Sequence, residues 1–212
     1  MYVVTLGGTK GGSSKSTIAT NLAVCAAKHK EKVLLIDADV QGTAMAFRGV
    51  RESNDIPVMS ITTPTLHEDI PSLSFDLIII DVGGRDSKVL RSAIAAADLV
   101  LVPVLPSVYD VWACGDTIEL IREVRTYKKV DCRIILSQVE AGTIMAKEAL
   151  DSLEEYKDEV PMMKSKIYDR AIYKKVVMRG LGVIEAEPKG KAAEEVEALY
   201  KEIKSILKKG KK

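Results

Sequence analysis

Near its start the chain carries Gly7-Gly8-Thr9-Lys10-Gly11-Gly12-Ser13-Ser14-Lys15-Ser16-Thr17, and no other stretch restricts its fold as much. An apolar run, Tyr2-Val3-Val4-Thr5-Leu6, precedes it and reads as a buried strand. Ile18 to Ala27 follows with apolar residues at helical spacing. Strand, glycine-rich turn, Lys-Ser and helix together form the setting of a phosphate-binding loop. Glycines let backbone N–H groups converge on an anion without side-chain obstruction. The helix N-terminus adds unpaired donors and a partial positive charge. In this pattern Lys15 reaches terminal phosphates and the Ser16 hydroxyl binds Mg²⁺. The commonest form of the motif has glycine where this chain has Thr9 and Ser14. A bare strand-to-helix turn that binds nothing is the competing reading, and the acids downstream weigh against it.

Val33-Leu34-Leu35-Ile36 leads into Asp37-Ala38-Asp39-Val40-Gln41-Gly42. Phe75-Asp76-Leu77-Ile78-Ile79-Ile80 leads into Asp81. Acids at the C-terminal ends of parallel strands face the crevice where such sheets bind ligands. Asp81 follows its apolar run in the manner of a Walker B carboxylate, placed to face an ion held by Ser16. An Asx turn would account for one acid after the second strand, and less well for two. Further apolar runs at Leu99–Val104 and Arg133–Ser137 alternate with helical patterns, among them Leu90–Ala97, Tyr109–Lys128 and Thr143–Tyr156. A short run at Val58–Ile61 lies between Pro57 and Pro64 and reads as peripheral, and a weak strand is expected near Lys164–Ile167. The fold class is therefore α/β: one domain, a mostly parallel twisted sheet, helices on both faces.

Lys10-Gly11-Gly12 followed by Lys15-Ser16-Thr17 resembles the K-G-G-x-x-K-[ST]-T box of the deviant Walker A ATPases, the ParA/MinD family. Asp37–Gly42 resembles that family's D-A-D-P-Q-G segment, with Val40 in place of proline. Leu105-Pro106-Ser107-Val108-Tyr109-Asp110-Val111-Trp112 and Gly182–Ala193 resemble stretches of its short plasmid-partition branch. The resemblance implies ATP and Mg²⁺ as cofactors and a homodimer that sandwiches two nucleotides. It implies nucleotide contacts from Lys10, Gly11, Gly12, Ser13, Ser14, Lys15, Ser16, Thr17 and Pro106, with Ser137 and Gln138 where the family often has a base-recognising Asn. Metal contacts would come from Ser16, Asp37 and Asp81. Catalysis would rest on Lys15, on Asp39 orienting the attacking water, and on Lys10 acting across the dimer. The implied activity is ATP hydrolysis stimulated by dimerisation and a partner. The implied role is plasmid segregation with a ParB-like centromere-binding or adaptor protein, on non-specifically bound double-stranded DNA. Two alternatives use the same switch: positioning a protein cargo such as carboxysomes, or a MinD-like membrane association. The ATPase domain would span 1–208, with 209–212 a basic tail.

Net charge is +1, so any nucleic-acid affinity must come from a local patch. Lys164 to Arg179 supplies one: a helix from Asp169 would pair Arg170 with Lys174 and Lys175 with Arg179, each four apart. Such a stripe can lie along phosphates without reading bases, or simply be a solvated helix face. Aromatics make up only 5%, which argues against stacking single-stranded bases. Trp112 reads as core, and His29 and His67 as surface. Cys25, Cys114 and Cys132 lack CxxC spacing and read as buried thiols of a reducing cytosol, not as cluster ligands. No leader opens the chain and no run reaches spanning length, so the expected location is cytoplasmic, at the nucleoid in the ATP state. The apolar stripe Leu199, Ile203, Ile206 and Leu207 on the last helix, Ala192–Lys208, favours packing on the sheet over membrane attachment.

Overall fold

A computed structural model describes residues 1–84, 87–140, 148 and 151–210. Six strands form one sheet in the order β3-β2-β4-β1-β5-β6, all parallel. They are β1 (Tyr2–Leu6), β2 (Val33–Ala38), β3 (Val58–Ser60), β4 (Leu77–Val82), β5 (Leu99–Val104) and β6 (Asp131–Leu136). The inner strands are continuous apolar runs because both faces are covered. β3 is short and sits at the edge, beside Pro57.

One face packs under α1 (Lys15–Lys28) and the terminal helix Lys191–Gly210. Ala19, Ala23 and Ala26 let α1 lie close to the sheet. Terminal-helix Leu199, Ile203 and Leu207 are buried in the same core, so its apolar stripe is spent on packing. That helix runs on to Gly210, past the expected stop at Lys208. The other face is covered by helices that include α4 (Ser87–Ala96) and α5 (Val108–Arg125). α2 (Thr43–Val50) and α3 (Leu66–Asp69) complete the first half. Among the described residues, no helix is long and apolar enough to cross a membrane.

The expected strand near Lys164–Ile167 is instead a ragged edge along β6. Met163 and Ile167 donate to the Ile134 and Leu136 carbonyls, and isolated bridges pair Met162 with Ile134 and Tyr168 with Val139. Half of the helix expected over Thr143–Tyr156 lies outside the described residues, as does Arg85; the described half is helical and ends in a 3-10 turn at Glu154–Tyr156.

The strand order decides where the site is. β4 lies between β1 and β2, with Leu6 opposite Asp81 and Asp37 opposite Asp81 in register. The loop after β1 and the acids ending β2 and β4 are therefore gathered at one end of the sheet.

Candidate functional site

The loop leaves β1 and is turned by two residues with left-handed backbone, Gly12 (φ 79°) and Ser14 (φ 71°). Glycine adopts this freely; a serine there costs on the order of 1 kcal/mol. Ser14 is compensated from β6's end, where the Gln138 amide donates to its Oγ (2.8 Å) and to the Gly12 carbonyl (2.9 Å). The Ser137 hydroxyl donates to the Ser13 carbonyl at 3.0 Å. On the other side, Thr9 is fastened to α5: its N–H donates to Thr117 Oγ1 and its hydroxyl to the Ala113 carbonyl, both 3.1 Å. With these carbonyls engaged on the protein side, the open side of the loop is its glycine edge. Among the described residues, chain neighbours apart, no atom lies within 4 Å of a Cβ built on Gly11 or Gly12.

Lys15 opens α1 and is buried, its Nζ donating to the Lys10 carbonyl at 2.6 Å. Burial holds its pKa below the ordinary lysine value, while Asp81 and Asp39 pull it back up. This is an ammonium held at the loop by one neutral acceptor, ready for a stronger one.

The three acids sit in three different environments. Asp37 is fully buried yet satisfied: Oδ1 accepts from the Asp39 N–H (3.2 Å) and Oδ2 from the Met45 N–H (2.8 Å). Asp81 is buried beside it and accepts from the Ser16 hydroxyl, but its Oδ2 has no hydrogen-bond partner among the described residues. Burial pushes the Asp81 carboxyl up to about 7, with Asp37 adding to the rise and the Ser16 hydrogen bond opposing it. Asp39 is half-exposed, with Oδ1 accepting from the Gln41 N–H at 3.0 Å. Gly83 lies against it: a Cβ there would stand 2.6 Å from the Asp39 carboxyl carbon. A Cβ on Gly84 would collide with the Thr9 carbonyl, so the β4 end passes directly under the loop.

These residues enclose a cavity of about 570 Å³, lined by the loop, Asp39, Gln41, Thr43, Gly84 and Gln138. That is within the range of small-ligand sites. The orphaned Asp81 oxygen, the Ser16 hydroxyl and Asp37 are hard oxygen donors, the set that suits Mg²⁺. The glycine edge and Lys15 suit the phosphates. A larger cavity, about 960 Å³, lies beyond Val139 and Tyr168, but its walls mix Lys164, Lys166 and Arg170 with Glu194 and Glu195 and offer no such cradle.

Lys10 points away from this cavity's floor. Its Nζ lies 2.6 Å from Asp110 Oδ2 in the first turn of α5, and Asp110 also takes the Ser107 hydroxyl. Asp110 is buried and the Lys10 side chain is 41% exposed. Sequence reasoning missed Asp110, Thr117, Gln41 and Thr43. Pro106, half-buried before Ser107, lines none of the loop cavity.

Two expectations need correcting. Trp112 is not core: it is 68% exposed, edge-to-face with Tyr109 at 5.7 Å. Helix α5 buries Val111, Cys114, Ile118 and Ile121, which turns Trp112, Tyr109 and Val108 outward. The helix expected from Asp169 begins at Ala171, with Arg170 extended and its guanidinium 2.7 Å from Glu195 and over the Tyr168 ring. Arg170 therefore does not share a helix face with Lys174, and Arg179 lies past the end of this helix at Val177, so Lys175 and Arg179 do not pair on it either. Lys174, Lys175 and Arg179 are exposed. All three cysteines are buried and free.

Comparison with known proteins gives the lineage. Residues 4–183 match the family model described as the CobQ/CobB/MinD/ParA nucleotide binding domain. The "Maintenance of carboxysome distribution protein A" of Halothiobacillus neapolitanus is 28% identical over 210 residues, covering 95% of this chain and 96% of that protein. Its namesake from Gloeobacter kilaueensis is 30% identical over 203 residues, covering 93% and 90%. The septum site-determining protein MinD of Pyrococcus horikoshii, solved with Mg-ADP, shares the fold at a TM-score of 0.78 and 18% identity, over 95% of each chain. The chain belongs to the CobQ/CobB/MinD/ParA family and is an ATPase of ParA/MinD type.

Proposed function

We propose that this chain is a nucleotide-switched dimer that positions a cargo on DNA, and that the cargo is a protein assembly of the carboxysome kind. The observation that carries the dimer is Lys10. It stands at the rim of the phosphate cavity, held sideways by Asp110 next to exposed Val108, Tyr109 and Trp112. A cation and an apolar patch at the mouth of a phosphate site suit a facing copy. In the dimer Lys10 leaves Asp110 and reaches the phosphates held by the partner, a second positive charge against the transferring group.

Within each copy, Lys15 and the loop amides of Gly11 to Thr17 bind the phosphates. Ser16, Asp37 and Asp81 hold Mg²⁺, which when bound neutralises charge on the phosphate oxygens. Asp39, kept in place by the Gln41 N–H and the close approach of Gly83, orients the attacking water. Ser137 and Gln138 brace the loop's far side, and Pro106 borders the dimer face. Because Lys10 comes from the other copy, hydrolysis requires the dimer and triphosphate favours it. Two copies of Lys174, Lys175 and Arg179 on one rigid body then gain avidity for DNA phosphates, placing the protein on the nucleoid. An adaptor protein prompts hydrolysis and release.

The protein-assembly cargo is favoured because the near-full-length relatives carry that role in their names. The Gly182–Ala193 stretch, like that of plasmid-partition proteins, makes a centromere-binding partner the other outcome to look for. Light scattering and DNA shift assays with ATP, ADP and no nucleotide test the switch. Lys10→Ala should abolish stimulated hydrolysis, and Asp39→Ala should trap the dimer on DNA. A chain that stays monomeric in saturating ATP and Mg²⁺ refutes the proposal.

A further inference from the structure

Far from the phosphate cavity, the C-terminal end of α1 meets the terminal helix through three unlike donors. Cys25 and His29 are four residues apart on α1, and Glu197 faces them. The Glu197 carboxylate spans the pair: Oε2 accepts from the Cys25 thiol at 3.3 Å and Oε1 lies 2.8 Å from His29 Nε2. One ligand atom from each residue falls within 4.8 Å of the others.

We propose that Cys25, His29 and Glu197 form a site for Zn²⁺ or a similar borderline transition-metal ion. A tetrahedral ion with bonds of about 2.0–2.3 Å holds its ligand atoms roughly 3.3–3.7 Å apart, so closure needs only small side-chain adjustments. One sulfur, one imidazole and one carboxylate is a set zinc accepts and Mg²⁺ does not. The His29 ring is held by stacking on Tyr200, with centroids 4.8 Å apart and planes at 18°. Orientation of this kind is what a ligating imidazole needs. The site is open on the His29 side, onto a surface cavity that Tyr200 and Lys201 also line, which leaves room for a water as fourth ligand. Cys25 itself is fully buried.

The chemistry balances. The thiol proton of Cys25 leaves to solvent as the S–metal bond forms, and Lys201, 3.3 Å from Glu197 Oε1, gives up that oxygen. Thiolate and carboxylate together neutralise a divalent ion. The bound ion would tie the terminal helix to α1, the helix whose first residue is Lys15.

The test uses the full chain, stripped with chelator and kept in excess Mg²⁺. Titration with cobalt(II) should develop a thiolate-to-cobalt charge-transfer band that saturates at one equivalent, and zinc should bleach it stoichiometrically. Zinc should raise Tm by roughly 5–10 °C at a hundredfold excess over Kd. Cys25→Ser should abolish the band, while Cys114→Ser and Cys132→Ser keep it. His29→Gln and Glu197→Gln should each weaken cobalt binding tenfold or more. Absence of the band in the wild-type protein overturns the proposal. So does a band that survives Cys25→Ser, or one whose affinity is the same in His29→Gln and Glu197→Gln, since a lone thiol would then be the ligand.

Discussion

Asp81→Asn should make the nucleotide-free protein more stable. Its carboxyl, ordinarily near 3.8, is pushed up to about 7 by burial. That difference, about three pH units at about 1.4 kcal/mol each, corresponds to a charge penalty on the order of 4 kcal/mol. The sign follows from proton counts. Between about pH 4 and pH 7 the folded chain holds a proton that the unfolded chain has released, so stability falls as pH rises through this window and stays low above it. Asparagine carries no charge at any pH. It keeps an acceptor for the Ser16 hydroxyl but brings an amide whose N–H groups need partners, at a cost of about 1–3 kcal/mol if they find none. The expected net gain is about 1–3 kcal/mol at pH 8, shrinking to zero or below near pH 4.

Urea unfolding of both proteins from pH 4.5 to pH 8 reads this directly, and comparing the two cancels every contribution they share. Adding Mg·ADP should narrow the variant's lead. The wild-type protein gains about 2.7 kcal/mol at a hundredfold excess over Kd, and the variant, lacking the carboxylate proposed to hold Mg²⁺, gains less. A stability difference that does not change between pH 5 and pH 8, or a variant less stable at pH 8 without nucleotide, would refute the claim that an uncompensated carboxylate is buried at the end of β4.

Gly83→Ala puts a methyl group into the Asp39 carboxylate. If Asp39 orients the attacking water as proposed, hydrolysis should fall by about 100-fold, with nucleotide affinity within a few fold by fluorescent-analogue titration. Ser14→Ala keeps the left-handed backbone and loses the Gln138 hydrogen bond, so it should destabilise by about 1 kcal/mol. Ser14→Gly trades that bond for relief of strain and should be within about 0.5 kcal/mol of wild type by urea unfolding. Trp112→Ser should leave monomer stability within about 0.5 kcal/mol, because the ring is exposed, while weakening ATP-dependent dimerisation at least tenfold by light scattering.

What could be read from the sequence follows the range of the interactions. The loop and the acids Asp37, Asp39 and Asp81 declare themselves because each sits at the end of an apolar run, and parallel strands bring such ends together. Lys10 and Asp110 are a hundred residues apart, and no local pattern pairs them. Trp112 looks like core from the sequence because several spacings along α5 look apolar; only the sheet's position selects Val111, Cys114, Ile118 and Ile121 as the inner face. The four-residue spacing of Arg170 and Lys174 suggests a helix that already includes Arg170. The bridge at Tyr168 keeps the chain extended two residues longer, and Glu195, twenty-five residues on, takes the guanidinium.

The two departures from the family pattern at Ser14 and Gln138 make the same point from the other side. Taken singly, each looks like a defect: a serine where the backbone wants glycine, and a glutamine where an asparagine is usual. In the fold they meet, and the Gln138 NH2 donates to both the Ser14 hydroxyl and the Gly12 carbonyl. A hydrogen bond of about 1 kcal/mol is comparable to the backbone strain it offsets. The two positions should therefore be coupled: Gln138→Ala should destabilise the protein with Ser14 more than the Ser14→Gly variant, by about 0.5–1 kcal/mol in a double-mutant cycle. Additive effects would mean that Ser14 is tolerated for a reason unrelated to Gln138.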